Sequence, residues 1–217
     1  MAATGVVGGR HHHGGMAANA QTTAETFDRL DWYARDFEAE RFVECVFREV
    51  DLTESRSHGA SFERCEFHNC RLNASEHRES SFAGCEFRRT SFFSAVLDGC
   101  KFTGSTFVDC VFRPLTVRGG QWGGITARGA DLNGLDLRGL RLGDADLAEA
   151  NLHGSVLRDA DLSFASLRGT VLTEADLRGA NLHAVDLSVA KLGDTRLDLA
   201  GAVLLAESHG ARVETAE

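Results

Sequence analysis

The chain has 217 residues, of which 43% are hydrophobic and 25% charged, as is common for globular proteins. No run of 18 apolar residues occurs, which excludes a membrane-spanning helix, and the charged-then-apolar pattern of a secretory signal is missing at the start. The net charge of −9 argues against a nucleic-acid binder with a basic surface and suits a partner whose own surface is basic. We therefore expect a cytoplasmic protein that does not act on membranes or nucleic acid.

Residues 1–24 carry no periodic pattern and are rich in Gly and Ala, so we expect a disordered N-terminal leader. The leader contains the triplet His11, His12 and His13, which could bind a metal ion weakly. A flexible, Gly-rich setting favours solvated histidines instead, and we predict no metal site here.

Residues 25–198 repeat every five residues, a period that fits neither an amphipathic helix nor a half-buried strand. Between Phe27 and Leu197, 31 of the 35 positions in this frame are large and apolar: 12 Phe, 17 Leu and 2 Trp. The first half of the repeat uses Phe and the second half Leu. The four exceptions are Ser57, His77, Val117 and Ala127.

The position two residues before each large residue is small, and it holds all six cysteines of the chain. A large and a small inward residue, followed by polar residues and glycine, predict a short strand and a turn in each unit. The cluster of Cys65, His68 and Cys70 invites a metal or redox interpretation. Because every Cys occupies the same inward position, core thiols are the preferred interpretation. The six are Cys45, Cys65, Cys70, Cys85, Cys100 and Cys110.

Residues 199–217 leave the five-residue period. Leu199, Ala202, Val203 and Ala206 fall at helical spacing, and Gly210 is a plausible stop signal, so we predict a short C-terminal α-helix. Nucleophile-elbow, phosphate-loop and zinc-protease motifs are missing from the sequence. The regular spacing of Asp favours turns over catalysis, and we predict neither an enzyme nor a cofactor.

This pattern resembles the pentapeptide-repeat family, whose units read A(D/N)LXX, as in ADLAE and ADLRG here. The resemblance implies an all-β fold, a right-handed quadrilateral β-helix in which four units make one 20-residue coil. The 35 units would then make about 8.75 coils and, at about 4.8 Å per strand, a rod about 42 Å long.

In a 20-residue coil, residues 20 apart lie above one another, which sorts the charges by face. Arg118, Arg138, Arg158 and Arg178 form a ladder on the face that also contains Ser57, His77 and Val117. Between residues 131 and 197 there are 11 acids and 7 bases; the ladder face holds 3 acids and 4 bases, leaving 8 acids and 3 bases elsewhere. The eight acids are Asp131, Asp144, Asp146, Glu149, Asp161, Glu174, Asp186 and Asp194.

Within the family, the chain is similar to the fluoroquinolone-resistance members of mycobacteria. SEHRESSFAGCEF (75–87), TFVDCVFRPLT (106–116), GADLNGLDLRGLRL (129–142) and the helix closing in SHG (208–210) carry this similarity. It implies an acidic rod that binds DNA gyrase, a type II topoisomerase, in place of DNA. It also implies a homodimer formed through the C-terminal module, with Leu199, Ala202, Val203, Leu205 and Ala206 as the dimerisation residues.

Charge density limits the DNA-mimic hypothesis. Net −4 over residues 131–197, a length of about 16 Å, gives one charge per about 4 Å, whereas DNA carries one per about 1.7 Å. Mimicry therefore requires carboxylates gathered on particular faces, and we expect the eight acids to be the partner-binding residues, with Asp146 and Asp186 on or near the gyrase-facing surface. The alternative is a pentapeptide-repeat interaction scaffold with a different protein partner.

Overall fold

The computed structural model describes residues 6–7 and 20–214, which form a solenoid of short parallel strands followed by a helix. The expected leader, residues 1–24, lies mostly outside the described residues, as does the histidine triplet. The parts of it that are described pair with the solenoid: Val6 and Val7 lie beside Thr26 and Phe27, and Gln21–Thr23 beside Arg41–Val43.

The strands are two to four residues long, because each five-residue unit supplies one short extended segment before the chain turns a corner. They are β1 Val6–Val7, β2 Gln21–Thr23, β3 Thr26–Asp28, β4 Asp36–Glu38, β5 Arg41–Val43, β6 Val46–Arg48, β7 Arg56–His58, β8 Ser61–Glu63, β9 Glu66–His68, β10 Glu76–Arg78, β11 Glu86–Arg88, β12 Ala95–Asp98, β13 Thr106–Val108 and β14 Leu115–Arg118.

These strands form four faces, which we number in chain order from the first complete coil. Face 1 contains residues 26–29 and their 20-residue repeats, face 2 residues 31–34, face 3 residues 36–39 and face 4 residues 41–44. Face 1 is the sheet β1-β3-β6-β9-β11-β13, face 3 is β14-β12-β10-β7-β4, and face 4 begins with β2-β5-β8. Every pairing is parallel with a register of 20, as in Phe47 beside Phe67, so the predicted coil length is confirmed.

Beyond Arg118, the described solenoid continues through isolated parallel bridges in the same register, to the pair Asp176 and Arg196. The corners here are closed by hydrogen bonds within the coil: Leu135 N donates to Leu132 O at 3.3 Å, and Gly134 between them has φ +67°. This is the geometry of a type II β-turn, which requires a left-handed residue at its third position.

The inward assignment of the large residues is confirmed, since all from Phe27 to Leu187 are buried except the smaller Val117, which is half-buried. Two exceptions to the apolar frame form a polar contact inside the core. Ser57 Oγ lies 2.7 Å from both His77 Nδ1 and Ser80 Oγ. Complete burial lowers the pKa of His77 to about 4, so the ring is neutral near pH 7.

The small inward column forms a second set of contacts between coils. Each cysteine thiol lies against the backbone carbonyl 23 residues earlier, as in Cys100 Sγ to His77 O at 3.2 Å. All six thiols are free, and burial raises the pKa of Cys70 to about 12 and that of Cys100 and Cys110 to about 11. Such thiols are packed and protonated, as the core-thiol interpretation requires.

The first complete coil contains a charged pair at two of these inward positions. Arg35 Nη2 lies 2.9 Å from Glu40 Oε2, and its guanidinium stacks 4.0 Å from the Trp32 ring and 4.6 Å from the Phe37 ring. Burial lowers the pKa of Arg35 and raises that of Glu40, and each partner opposes the shift of the other. Sequence reasoning did not identify this pair.

The chain ends in two short helices, a 3-10 helix at Leu187–Val189 and α1 at Leu199–Ser208, so the predicted C-terminal helix is confirmed. Asp198 begins α1 by accepting a hydrogen bond from Gly201 N at 2.9 Å. No helix in the described residues is long and apolar enough to cross a membrane.

Candidate protein-interaction surface

The register distributes the eight candidate acids over three faces of the solenoid. Asp146, Glu149 and Asp186 lie on face 1, Asp131, Glu174 and Asp194 on face 2, and Asp144 and Asp161 on face 4. The arginine ladder lies on face 3, between faces 2 and 4. The structure therefore keeps these acids and the ladder on different faces of the rod.

On face 1, neighbouring arginines partly neutralise the acids. Arg128 Nη1 lies 3.1 Å from Asp146 Oδ2, and Glu149 lies 3.9 Å from Arg128 and 3.6 Å from Arg168. All four side chains are about one-third exposed or more, which makes these pairs weak and sensitive to salt. A cationic partner can therefore compete for the carboxylates.

Asp186 is held in a different way from Asp146. It begins the 3-10 helix, accepting hydrogen bonds from Ser188 N at 2.9 Å and Ser188 Oγ at 2.6 Å, and these bonds lower its pKa. The step between coils is one residue longer here, because Gly169 N donates to Val189 O at 2.7 Å whereas Glu149 N donates to Arg168 O. Asp186 thus stands where the regular stacking of face 1 ends.

The acids of faces 2 and 4 fall into two groups. Asp161 accepts from Ser163 and Asn181, mainly the Ser163 hydroxyl, which lowers its pKa. Asp131 lies 3.4 Å from Arg113, and Glu174 lies 4.0 Å from His153. Asp144 and Asp194 are exposed corner residues with φ of +59° and +49°.

On face 3, arginines pair with acids of their own strand or of the preceding coil. Arg138 lies 2.7 Å from Asp136, and Arg178 lies 2.7 Å from Asp176, lowering the pKa of Asp176 to about 2. Arg118 lies 4.0 Å from Asp98. Face 3 is consequently a surface of internally compensated charge.

The proposed dimerisation residues on α1 differ in exposure. Leu199 is 81% exposed and Ala202 is also exposed, whereas Val203, Leu205 and Ala206 are half-buried. Leu205, together with Leu204, packs against the core of the solenoid. One side of α1 therefore closes the end of the core, while Leu199 and Ala202 face outward.

The repeat pattern of the chain matches the profile of the pentapeptide repeats in eight copies, over residues 41–75, 78–109, 128–163 and 155–194. The chain belongs to the pentapeptide-repeat family. None of the curated protein sequences compared with the chain matches it.

Among solved structures, the chain is similar to QnrB1, a plasmid-mediated fluoroquinolone resistance protein. A trypsin-treated form superposes with a TM-score of 0.79 at 21% identity, covering 91% of this chain and 99% of that chain. The full-length form gives a TM-score of 0.56 at 18% identity, covering 88% of this chain and 100% of that chain. At this identity the likeness establishes the shared solenoid fold.

Proposed function

We propose that this protein is a DNA-mimicking rod that binds DNA gyrase, inhibiting or protecting it, and so lowers susceptibility to fluoroquinolones or other gyrase poisons. The mechanism involves no catalysis. The rod occupies the basic groove in which gyrase holds duplex DNA, and it reduces the number of cleaved DNA complexes that a drug can trap. The likeness to QnrB1 over nearly the whole chain supports this function, as do the fold and the charge distribution.

The observation that carries the proposal is the separation of charge around the rod. Between residues 131 and 197, faces 1, 2 and 4 hold eight acids and three bases, while face 3 holds three acids and four bases. A rod with this distribution can turn its acidic faces toward a basic groove and keep its arginine ladder away from it. Asp146 and Asp186 are the residues of face 1 that we place toward gyrase, and the homodimer through α1 would extend the rod.

The test is supercoiling of relaxed plasmid by purified gyrase, across a titration of the protein, with and without a fluoroquinolone. The wild-type chain should inhibit supercoiling and reduce the amount of drug-stabilised cleaved DNA. If neither activity changes at any concentration, gyrase is not the partner and the chain is an interaction scaffold for another protein.

A matched pair of double variants locates the binding face. Asp146→Asn with Asp186→Asn removes two charges that are 40 residues apart on face 1 and keeps their hydrogen-bond acceptors. Asp136→Asn with Asp176→Asn does the same on face 3. The first double variant should weaken inhibition several-fold more than the second; equal effects would place the gyrase-binding surface elsewhere.

A further inference from the structure

Phe164 occupies a corner of the solenoid at which a phenylalanine is unfavourable. Its φ is +59°, in the left-handed region that bulky side chains seldom adopt. The other described non-glycine residues with positive φ are Ala, Ser, Asn, Asp, Glu or Arg. Gly84, Gly104 and Gly124 occupy the same corner in earlier coils.

The fold gains little from the Phe164 ring. The side chain is 58% exposed, and its ring contact is an edge-on approach to His183, with centroids 5.2 Å apart and planes at 84°. Its neighbours in the column, Asp144 and Ala184, lie one coil away on either side and are also exposed. A strained backbone that holds an aromatic ring in solvent is an arrangement that folding does not require, which directs attention to binding.

The surroundings of Phe164 are the more acidic side of these coils. The edge between faces 4 and 1, formed by residues 141–149, 161–169 and 181–189, has five acids and two arginines, a net charge of 2 − 5 = −3. The opposite edge of the same coils, residues 151–159, 171–179 and 191–199, has five acids and four bases, or −1. Five of the eight candidate acids flank Phe164: Asp144, Asp146, Glu149, Asp161 and Asp186.

We propose that Phe164 is an aromatic anchor that inserts into an apolar pocket on a basic protein surface, with the flanking carboxylates meeting Lys and Arg around that pocket. The partner's chemistry follows from charge complementarity, and aromatic anchors surrounded by polar residues dominate many protein interfaces. This inference rests on the proposed function, for which it identifies a contact that duplex DNA lacks. Phe164 gives the rod an apolar attachment whose strength does not depend on screened charge.

The test compares Phe164→Gly with Phe93→Ala, which removes a ring that is 49% exposed on face 2. Gyrase affinity is measured by titration at several salt concentrations, and stability by thermal unfolding. Phe164→Gly should weaken binding about tenfold or more with an unchanged salt dependence, because it removes apolar contact and no charge. It should melt at the same or a higher temperature, since glycine relieves the corner. Phe93→Ala should bind within about twofold of wild type.

Two results would overturn the inference, and they are distinguishable. If wild type and Phe164→Gly bind gyrase equally, the anchor is wrong while the proposed function stands. If wild type itself does not bind gyrase, the proposed function fails and the anchor fails with it. A fall in affinity that Phe93→Ala reproduces would also reject a specific role for Phe164.

Discussion

The two halves of the solenoid share one register but build their cores differently. From Phe27 to Trp122 the core is a set of aromatic stacks: the Phe67 ring lies 4.6 Å from Phe47 and 4.7 Å from Phe87, nearly parallel to both. From Ala127 onward the core is leucine, the strands give way to isolated bridges, and hydrogen bonds within the coil close the corners. The same coil can thus be stabilised by ring stacking with paired strands or by branched side chains with tight turns.

Breaking an aromatic stack should have the largest effect. Phe67 is completely buried, and Phe67→Ala removes a ring stacked on both sides, so the free energy of unfolding should fall by about 3–5 kcal/mol. Urea unfolding measures this loss. Phe67→Leu tests whether the leucine solution works in the first half, and it should recover part of the loss; a Phe67→Ala variant as stable as wild type would contradict the stacked core.

The corresponding change in the leucine half should cost less. Leu152 is completely buried, and Leu152→Ala should lower the free energy of unfolding by about 2–5 kcal/mol, with a value below that of Phe67→Ala because fewer atoms leave the core. The same urea measurement applies. A cost larger than that of Phe67→Ala would show that the leucine half is the more tightly packed of the two.

His77 gives the aromatic half an acid sensitivity that the leucine core lacks. Its pKa is about 4 in the folded chain against an ordinary value of 6.5, so below pH 6.5 the unfolded chain takes up a proton that the folded chain does not. Stability should therefore fall as the pH drops from 6.5 toward 4, by about 2 kcal/mol at pH 5. Urea midpoints at pH 7 and pH 5 measure it. His77→Leu should lose less stability over this range; an equal loss in both chains would show that other groups account for it.

The smallest effect concerns the corners. Gly139 has φ +63°, and the position that an alanine methyl group would take has no neighbouring atom within 4 Å, so Gly139→Ala meets only backbone strain and should cost about 1 kcal/mol. Ala74 already adopts φ +51° in the first half. Thermal unfolding of Gly139→Ala and Ala74→Gly should show shifts of opposite sign, and a loss of several kcal/mol in the former would mean that the turns of the leucine half tolerate less than those of the first.

The sequence predicted the coil but not the pairing on its surface. The frame running from Phe27 to Leu197 determines which side chains point inward, and a 20-residue register follows once four units close a coil. The proximity of Arg128 to Asp146 depends on two side chains bending toward each other, which spacing alone does not determine. The sequence therefore located the acids by face but could not tell compensated carboxylates from free ones.

Two features escaped sequence reasoning for a different reason. Arg35 and Glu40 occupy inward positions where the repeat predicts small residues, and only their contact with each other and with Trp32 makes this acceptable. Phe164 falls outside the core frame and looks like an ordinary polar-side position until its backbone angle is known. In both cases a departure from the repeat was the available signal, at Arg35 as a charge in a small-residue column and at Phe164 as a ring at a glycine corner.

Competition with DNA tests the central claim most directly. Purified gyrase carrying the labelled protein is titrated with linear duplex DNA, and the fraction of protein still bound is measured at constant salt concentration. DNA mimicry predicts mutually exclusive binding, with the apparent affinity for the protein falling in proportion to the DNA concentration. A stable complex containing gyrase, DNA and the protein together, with unchanged affinity, would contradict it.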